Sequence, residues 1–326
     1  EDAMSQALDR LGPLLRSLPD GETGERRNWI ISSIEALRSH PDLELASEGD
    51  WSDYDKTPRF KVRKGHRLYG ASMDFGHVAA AEASLPIFER LTAPLQRDDL
   101  VFQAGTPGDL DMAMFALGPA GALRRRRPFT EATLNEVRRV NTLAGGSAVF
   151  QIEVPAELVL LAKAPAPAQP GLARVLGGQI AALAAGAAPG TRFGIHLCLG
   201  DMNHRAFGRM GDATPLVLLS NAIARAWPQG RPLDFVHAPF AAADDPPSLD
   251  PAFYAPLARL ALPPDVRFVA GIAHEDQPLA DQRRLRDLVD RVVGRPVDIS
   301  TSCGLGRREP AAAYAALDRI GGLCQD

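Results

Sequence analysis

Four residues in this chain have the types and positions needed to bind a metal. In Phe193-Gly194-Ile195-His196-Leu197-Cys198-Leu199-Gly200-Asp201, an imidazole and a thiol stand two residues apart. On a β-strand, residues two apart project to one face, so His196 and Cys198 can reach one ion. Cys303 follows a second β-rich run, in Ser300-Thr301-Ser302-Cys303-Gly304-Leu305-Gly306-Arg307-Arg308. His237 closes a third run, and His274-Glu275-Asp276 follows a fourth. Zinc takes Cys and His ligands tetrahedrally, and a catalytic site leaves one position open. A lone Cys is ordinarily a small buried hydrophobe, and a lone His an ordinary hydrogen-bonded residue. Four such residues at the ends of β-rich runs favour a site. The fourth ligand stays open between His237, Glu275 and a water. Cys324, in the tail Gly321-Gly322-Leu323-Cys324, reads as inert.

The elements that must position these residues alternate. Eight β-rich runs occur at 14–18, 60–69, 100–104, 148–154, 192–199, 233–237, 266–272 and 297–301. Helical patterns fall between them, at 25–39, 77–91, 130–143 (with Thr130 as N-cap), 171–187, 214–227, 251–262, 279–293 and 310–320. Regular strand–helix alternation implies a parallel sheet. Eight repeats predict an α/β fold made of one (β/α)8 TIM barrel, with long loops at the C-terminal face where barrel chemistry sits. The rival, an open doubly wound sheet, is disfavoured because no G-x-G-x-x-G or P-loop pattern follows an early strand. Residues 1–326 are expected to form a single domain, with 41–58 a long loop and a candidate lid.

Composition excludes several function classes. The 326 residues are 45% apolar, and 36 basic against 40 acidic side chains give a net charge of −4. That balance argues against nucleic acid or an anionic membrane as a partner held by bulk charge. No run approaches the ~20 apolar residues of a membrane span, and nothing at the first residues resembles a signal peptide. Three cysteines do not build a disulfide scaffold, so the expected compartment is the reducing cytoplasm. A homodimer is left open.

Further polar residues cluster near the predicted strand ends. Asp20-Gly21-Glu22-Thr23-Gly24-Glu25-Arg26 follows the first run, as a site loop or as an acidic first helical turn favoured by the helix dipole. Arg307 and Arg308 follow Cys303, placed to meet an anionic group, whereas Arg124–Arg127 reads as a solvated loop. Asp201, Asn203 and His204 follow Cys198 and are candidates for orienting His196. Asp74 and His77 are weak candidates.

Four short stretches carry a family resemblance. His196-Leu197-Cys198 and Cys303-Gly304-Leu305 resemble the zinc motifs of cobalamin-independent methionine synthase, in its C-terminal catalytic barrel, a relative of the uroporphyrinogen decarboxylase fold. Gln151-Ile152-Glu153-Val154-Pro155-Ala156 is similar to that family's Gln-Ile-Asp-Glu-Pro-Ala, and Ser17-Leu18-Pro19 to its Ser-Phe-Pro. The resemblance implies zinc as cofactor, held by His196, Cys198 and Cys303, with His237 where the family has a Glu ligand. It places Glu153 on the substrate's amino group and His274 near an acid–base position. In the family, zinc holds a thiol as thiolate, the nucleophilic form, which attacks a methyl group on a folate.

The departures point away from methionine synthesis itself. A neutral His in place of Glu would make the site a stronger Lewis acid. Glu153 reaches one methylene further than Asp, which points to a thiol other than homocysteine. The family's long N-terminal half has no counterpart here, which leaves the alkyl donor open. The resulting expectation is a zinc-dependent methyltransferase acting on a small-molecule thiol and a methyl or alkyl donor. His274 and Asp201 are its candidate catalytic groups, and Glu153, Asp20, Glu22, Arg26 and Arg307 its substrate-binding groups. The alternatives are a metal-independent decarboxylase-like barrel and a catalytically silent ligand-binding barrel.

Overall fold

A computed structural model describes residues 1–203, 205–242 and 245–325, with the backbone alone for Glu25 and Trp29. In chain order the elements are α1 (Asp2–Leu11), β1 (Ser17–Pro19), α2 (Trp29–Ala36), β2 (Leu43–Ser47), β3 (Arg59–Val62), α3 (His77–Thr92), β4 (Val101–Pro107), α4 (Asp109–Arg125), α5 (Arg127–Leu143) and β5 (Val149–Glu153). There follow α6 (Pro155–Lys163), α7 (Gln169–Ala185), β6 (Arg192–His196), α8 (Thr214–Ala226), β7 (Leu233–Pro239), α9 (Pro251–Tyr254), β8 (Arg267–Ala273), α10 (Leu279–Val293), β9 (Asp298–Thr301) and α11 (Pro310–Leu323). No helix among the described residues is long and apolar enough to cross a membrane.

The α/β barrel expectation holds, with one strand fewer. Seven parallel strands run in the order β1-β4-β5-β6-β7-β8-β9. The sheet curls but does not close, since β9 and β1 are its two edges among the described residues. The seam lies where α1 meets α11. Tyr314 Oη donates to Asp2 Oδ2 at 2.5 Å, and Arg10 Nε pairs with Asp318 Oδ1 at 3.0 Å.

The missing strand is the run predicted at 60–69. It is β3, paired antiparallel with β2 in a hairpin outside the sheet. Phe60 is buried and Lys61 exposed, so one residue turns inward while its neighbour faces water. That one-sided alternation suits a covering hairpin, whereas parallel barrel strands are buried on both faces. Its partner β2 lies within 41–58, the segment expected to be loop. The helix expected from Thr130 begins three residues earlier, with Pro128 in its first turn. Thr130 Oγ1 there donates to Asp109 instead of capping.

The core lies between the sheet's outer face and the helices. Phe102, Phe150, Ile152, Phe193, Ile195, Val236 and Phe268 project outward and are at most 2% exposed. Each such burial stabilises by about 1.5–3 kcal/mol. The inner face is polar. Ser17 Oγ donates to Gln103 Oε1 (2.6 Å), Gln103 Nε2 to Gln151 Oε1 (3.2 Å), and Gln151 Nε2 to Glu153 Oε1 (3.4 Å). This ladder leads up the interior to the C-terminal end, where Glu153, His196 and His237 stand side by side in register.

Candidate metal centre

His196 is the last residue of β6, and Cys198 follows on the same face; they are 2% and 6% exposed. Cys303 comes just after β9. Ligand atoms of His196, Cys198 and Cys303 all lie within 4.8 Å of one another. The two sulfurs are 3.8 Å apart. On a tetrahedral zinc with Zn–S bonds of about 2.3 Å, two thiolates sit about 3.8 Å apart. The sulfur spacing therefore suits zinc.

Hydrogen bonding fixes which His196 nitrogen faces the thiols. His237 Nε2 lies 2.9 Å from the Thr301 carbonyl oxygen, which can only accept, so Nε2 carries the hydrogen. Burial, then the neighbouring His196, holds the His237 pKa down to about 3, so its ring is neutral and its Nδ1 is a lone pair. His196 Nδ1, 2.8 Å away, must then donate to it. This leaves Nε2 as the His196 nitrogen turned toward the thiols, buried, with Cys303 beside it. A buried ring nitrogen converging with two thiols is a donor set that fits zinc.

The thiols are held unequally. A hydrogen bond from Cys198 and the Arg307 guanidinium hold Cys303 well below the usual thiol range. The same hydrogen bond, with burial, pushes Cys198 up. Arg307 Nη2 donates to Cys303 Sγ at 2.9 Å, while its Nε faces Asp201 Oδ2 at 3.2 Å. The Gly200 amide donates to Cys198 Sγ at 3.3 Å, from a left-handed turn (φ 79°) that glycine adopts without strain.

Carboxyl groups stand beside the thiols. Glu153 Oε1 and Glu22 Oε1 both lie against Gly105 of β4, 3.5 and 2.9 Å from where a β carbon would be. Burial and then the negative Cys303 push Glu153 up to about 7. Burial and then Glu153 raise Glu22 as well.

Two cavities meet at this centre, with Glu153, Cys303 and Arg307 in the walls of both. The larger runs down the barrel interior past Glu22, His196, His237 and Gln151 toward the seam. The smaller, about 170 Å³, lies on the Cys198 and Asp201 side. Tyr54 reaches it from the 41–58 segment: its Oη accepts from the Met202 amide (2.7 Å) and donates to the Arg205 carbonyl (3.0 Å).

Other predicted residues fall elsewhere. His237 does not join the ligand group, since both ring nitrogens are engaged. Gly271 of β8 makes room for it: a β carbon there would stand 3.0 Å from His237 Nε2 and 2.9 Å from the Ala238 carbonyl oxygen. Glu275 is paired with Arg308 at 2.6 Å. Fully buried His274 lines neither cavity; its Nδ1 accepts from the Asp276 amide and its backbone is bonded on both sides by Gln282. Arg26 is paired with Asp20 at 2.8 Å. Asn203 donates to the Trp51 carbonyl, and His204 lies outside the described residues. Asp74 accepts from the Gly76 amide, and His77 bonds Glu136 at 2.5 Å, away from the thiols. Arg124 and Arg125 are exposed, and Arg127 pairs with Glu131.

Sequence reasoning placed Tyr54 only in a candidate lid, with no site role, and missed a buried carboxyl knot. Arg126 grips both oxygens of Asp109, at 2.5 and 2.8 Å. Asp111 Oδ1 accepts from the Ala156 amide at 2.7 Å, and Asp111 hydrogen-bonds Glu157. Two carboxyl groups can do so only by sharing a proton. Burial, with Glu157 beside it, raises Asp111; burial pushes Glu157 up to about 7. The signal was Asp109-Leu110-Asp111 directly after one strand and Glu157 just after the next.

No protein-family model and no curated protein sequence matches the chain. Solved structures do. A B12-independent methionine synthase from Shewanella sp. W3-18-1, in complex with selenomethionine, superposes with a TM-score of 0.60 at 11% identity, over 99% of this chain and 85% of that one. A methyltransferase from Methanosarcina mazei superposes with a TM-score of 0.52 at 13% identity, over 89% of this chain and 77% of that one. At these identities the likeness is one of fold. Over nearly its whole length, the chain shares the barrel fold of a B12-independent methionine synthase and of a methanogen methyltransferase.

Proposed function

We propose that this protein is a zinc-dependent enzyme transferring a methyl or other alkyl group to a small thiol. The observation that carries this reading is the sulfur pair at 3.8 Å, with a His196 ligand atom within 4.8 Å of both. His196, Cys198 and Cys303 would hold zinc, leaving the fourth position for the acceptor sulfur. When bound, zinc lowers the pKa of that thiol so that it is a thiolate at neutral pH.

The chain's own residues do the rest. Arg307 keeps Cys303 in its anionic form. Asp201 acts through Arg307, fixing the guanidinium from its other side. His237 orients His196 and selects its tautomer, a positioning role. Glu153 and Glu22 form an acidic pair suited to a substrate ammonium group. The proton lost by the acceptor thiol has a path out along the polar interior cavity.

Elemental analysis of tag-free protein tests the reading. About one zinc per chain is expected, and a cobalt-substituted form should change its visible spectrum when a thiol is added. Protein without zinc, or a Cys303→Ser variant that binds the metal as before, would sink it.

A further inference from the structure

Resting on the zinc–thiolate reading above, we infer that Tyr54 is a positioning residue of the metal centre. It lies in a strap, residues 49–58, that supplies no ligand yet holds both sulfurs through the turn that follows Cys198. The strap is itself braced. Its two ends pass so closely that a β carbon on Gly49 would stand 2.3 Å from the Thr57 carbonyl carbon and 2.4 Å from the Lys56 oxygen. The Trp51 amide donates to the Lys56 carbonyl at 2.9 Å, and its indole Nε1 donates to Glu35 of α2 at 2.7 Å. Of residues 52–56 only Tyr54 is half-buried; the other four are exposed.

The strap grips the turn at three points. Tyr54 Oη bridges it, accepting from the Met202 amide at 2.7 Å and donating to the Arg205 carbonyl at 3.0 Å. The Tyr54 ring stacks on Phe207, with centroids 4.6 Å apart. The Trp51 carbonyl accepts from Asn203 Nδ2 at 2.8 Å. Trp51 (φ 58°) and Asn203 (φ 55°) are both left-handed, a conformation that a bulky side chain seldom adopts. Among the described residues three that are not glycine have such a φ, and two of them are bonded to each other across this contact. Backbone strain of this kind persists only where the surroundings impose it, and it gathers at functional sites.

From that turn two routes lead to the sulfurs. The Gly200 amide donates to Cys198 Sγ at 3.3 Å. Its neighbour Asp201 faces Arg307, whose Nη2 donates to Cys303 Sγ at 2.9 Å. Tyr54 sits directly over their common start: a β carbon on Gly200 would stand 2.6 Å from Tyr54 Oη. Donors aimed at a thiolate stabilise its charge and fix the direction in which its lone pairs point. Without the hydroxyl, the Met202 amide and the Arg205 carbonyl lose their bridge and the turn can lift. A lifted turn slackens both donors at once and uncovers Cys198, which is 6% exposed.

Tyr54→Phe tests the inference, since it keeps the ring on Phe207 and removes only the hydroxyl. In zinc-loaded protein it should speed loss of the metal to a chelator at least about tenfold, and in the cobalt-substituted form it should shift the sulfur-to-metal charge-transfer band. In metal-free protein it should speed alkylation of Cys198 by iodoacetamide at least about fivefold, because local opening sets that rate. Peptide mass spectrometry reads this against Cys324, exposed in the same chain. Ser52→Ala removes a hydrogen bond that stays within the strap, to Asp50, and should change none of these readings. If Tyr54→Phe does not fold, Asn203→Gly makes the same test, since glycine keeps the left-handed backbone and drops the bond to Trp51. Alkylation of Cys198 unchanged by Tyr54→Phe overturns the inference, as does an equal effect from Ser52→Ala. Protein that takes up no zinc, yet exposes Cys198 on Tyr54→Phe, overturns the metal reading and leaves the strap's hold on the sulfurs standing.

Discussion

Two buried polar clusters sit a strand apart in this barrel, and they end their hydrogen bonds differently. In the carboxyl knot, Arg126 matches Asp109, the Ala156 amide matches Asp111, and Glu157 closes on Asp111. Around the thiols, Arg307, Thr301 and His237 are committed, and ligand atoms of His196, Cys198 and Cys303 converge within 4.8 Å of one another. Acids closed on one another and on an arginine are architecture. Soft donor atoms converging on one point are built to receive a metal. Burial alone would not have separated them.

The largest effect that can break the comparison is on metal binding. Cys303→Ser should weaken zinc at least about a hundredfold, read by competition with a chromogenic chelator, because serine is a poor zinc ligand beside thiolate. The same change should leave the denaturation midpoint of the metal-free protein nearly unmoved. Arg126→Met should do the reverse: about 3–5 kcal/mol of stability lost in urea, from leaving Asp109 buried and unpaired, with zinc affinity kept. If Arg126→Met released zinc and kept its stability, the division into architecture and receptor would be wrong.

Smaller effects sharpen it. His237→Phe should cost about 10–100-fold in zinc affinity, the usual loss when an orienting partner of a ligand is removed. Unchanged affinity would mean that the tautomer of His196 is set elsewhere. The knot also makes a pH prediction. Glu157 has its pKa raised from 4.5 to about 7 in the folded chain. The folded state therefore binds more protons than the unfolded one across that window, and stability falls as pH rises from about 4.5 to 7. Glu157→Gln should flatten that slope by about 1–3 kcal/mol, measured by urea titration at pH 5 and pH 7. Cys324→Ser, at the exposed tail, should change none of these readings.

Much of the centre was legible in the sequence. The two-residue spacing of His196 and Cys198 follows from the strand period, and Cys303 from the order of strand ends. His237 stands outside the group of three converging ligand atoms, with its Nε2 bonded to the Thr301 carbonyl, 64 residues away. No spacing rule reports such a contact. The expected second strand misled for another reason: Phe60 in a covering hairpin shows the same local alternation as a sheet strand, and only pairing tells them apart. Helix α4 was hidden by Gly118-Pro119, a pair that reads as a turn. The chain breaks helical geometry at Gly118 (φ 69°, ψ 171°) and resumes at once.

Gly271 carries no functional group, yet its place in β8 is shared with a histidine ring that could not sit there beside a methyl group. The reach of the centre therefore extends to a residue that contributes only a vacancy. Sequence drift that added one carbon at this position would push His237 from the Thr301 carbonyl and loosen His196 behind it. The ligands could remain intact while the geometry they share was lost. Damage of that kind would be invisible to any inspection confined to histidines and cysteines.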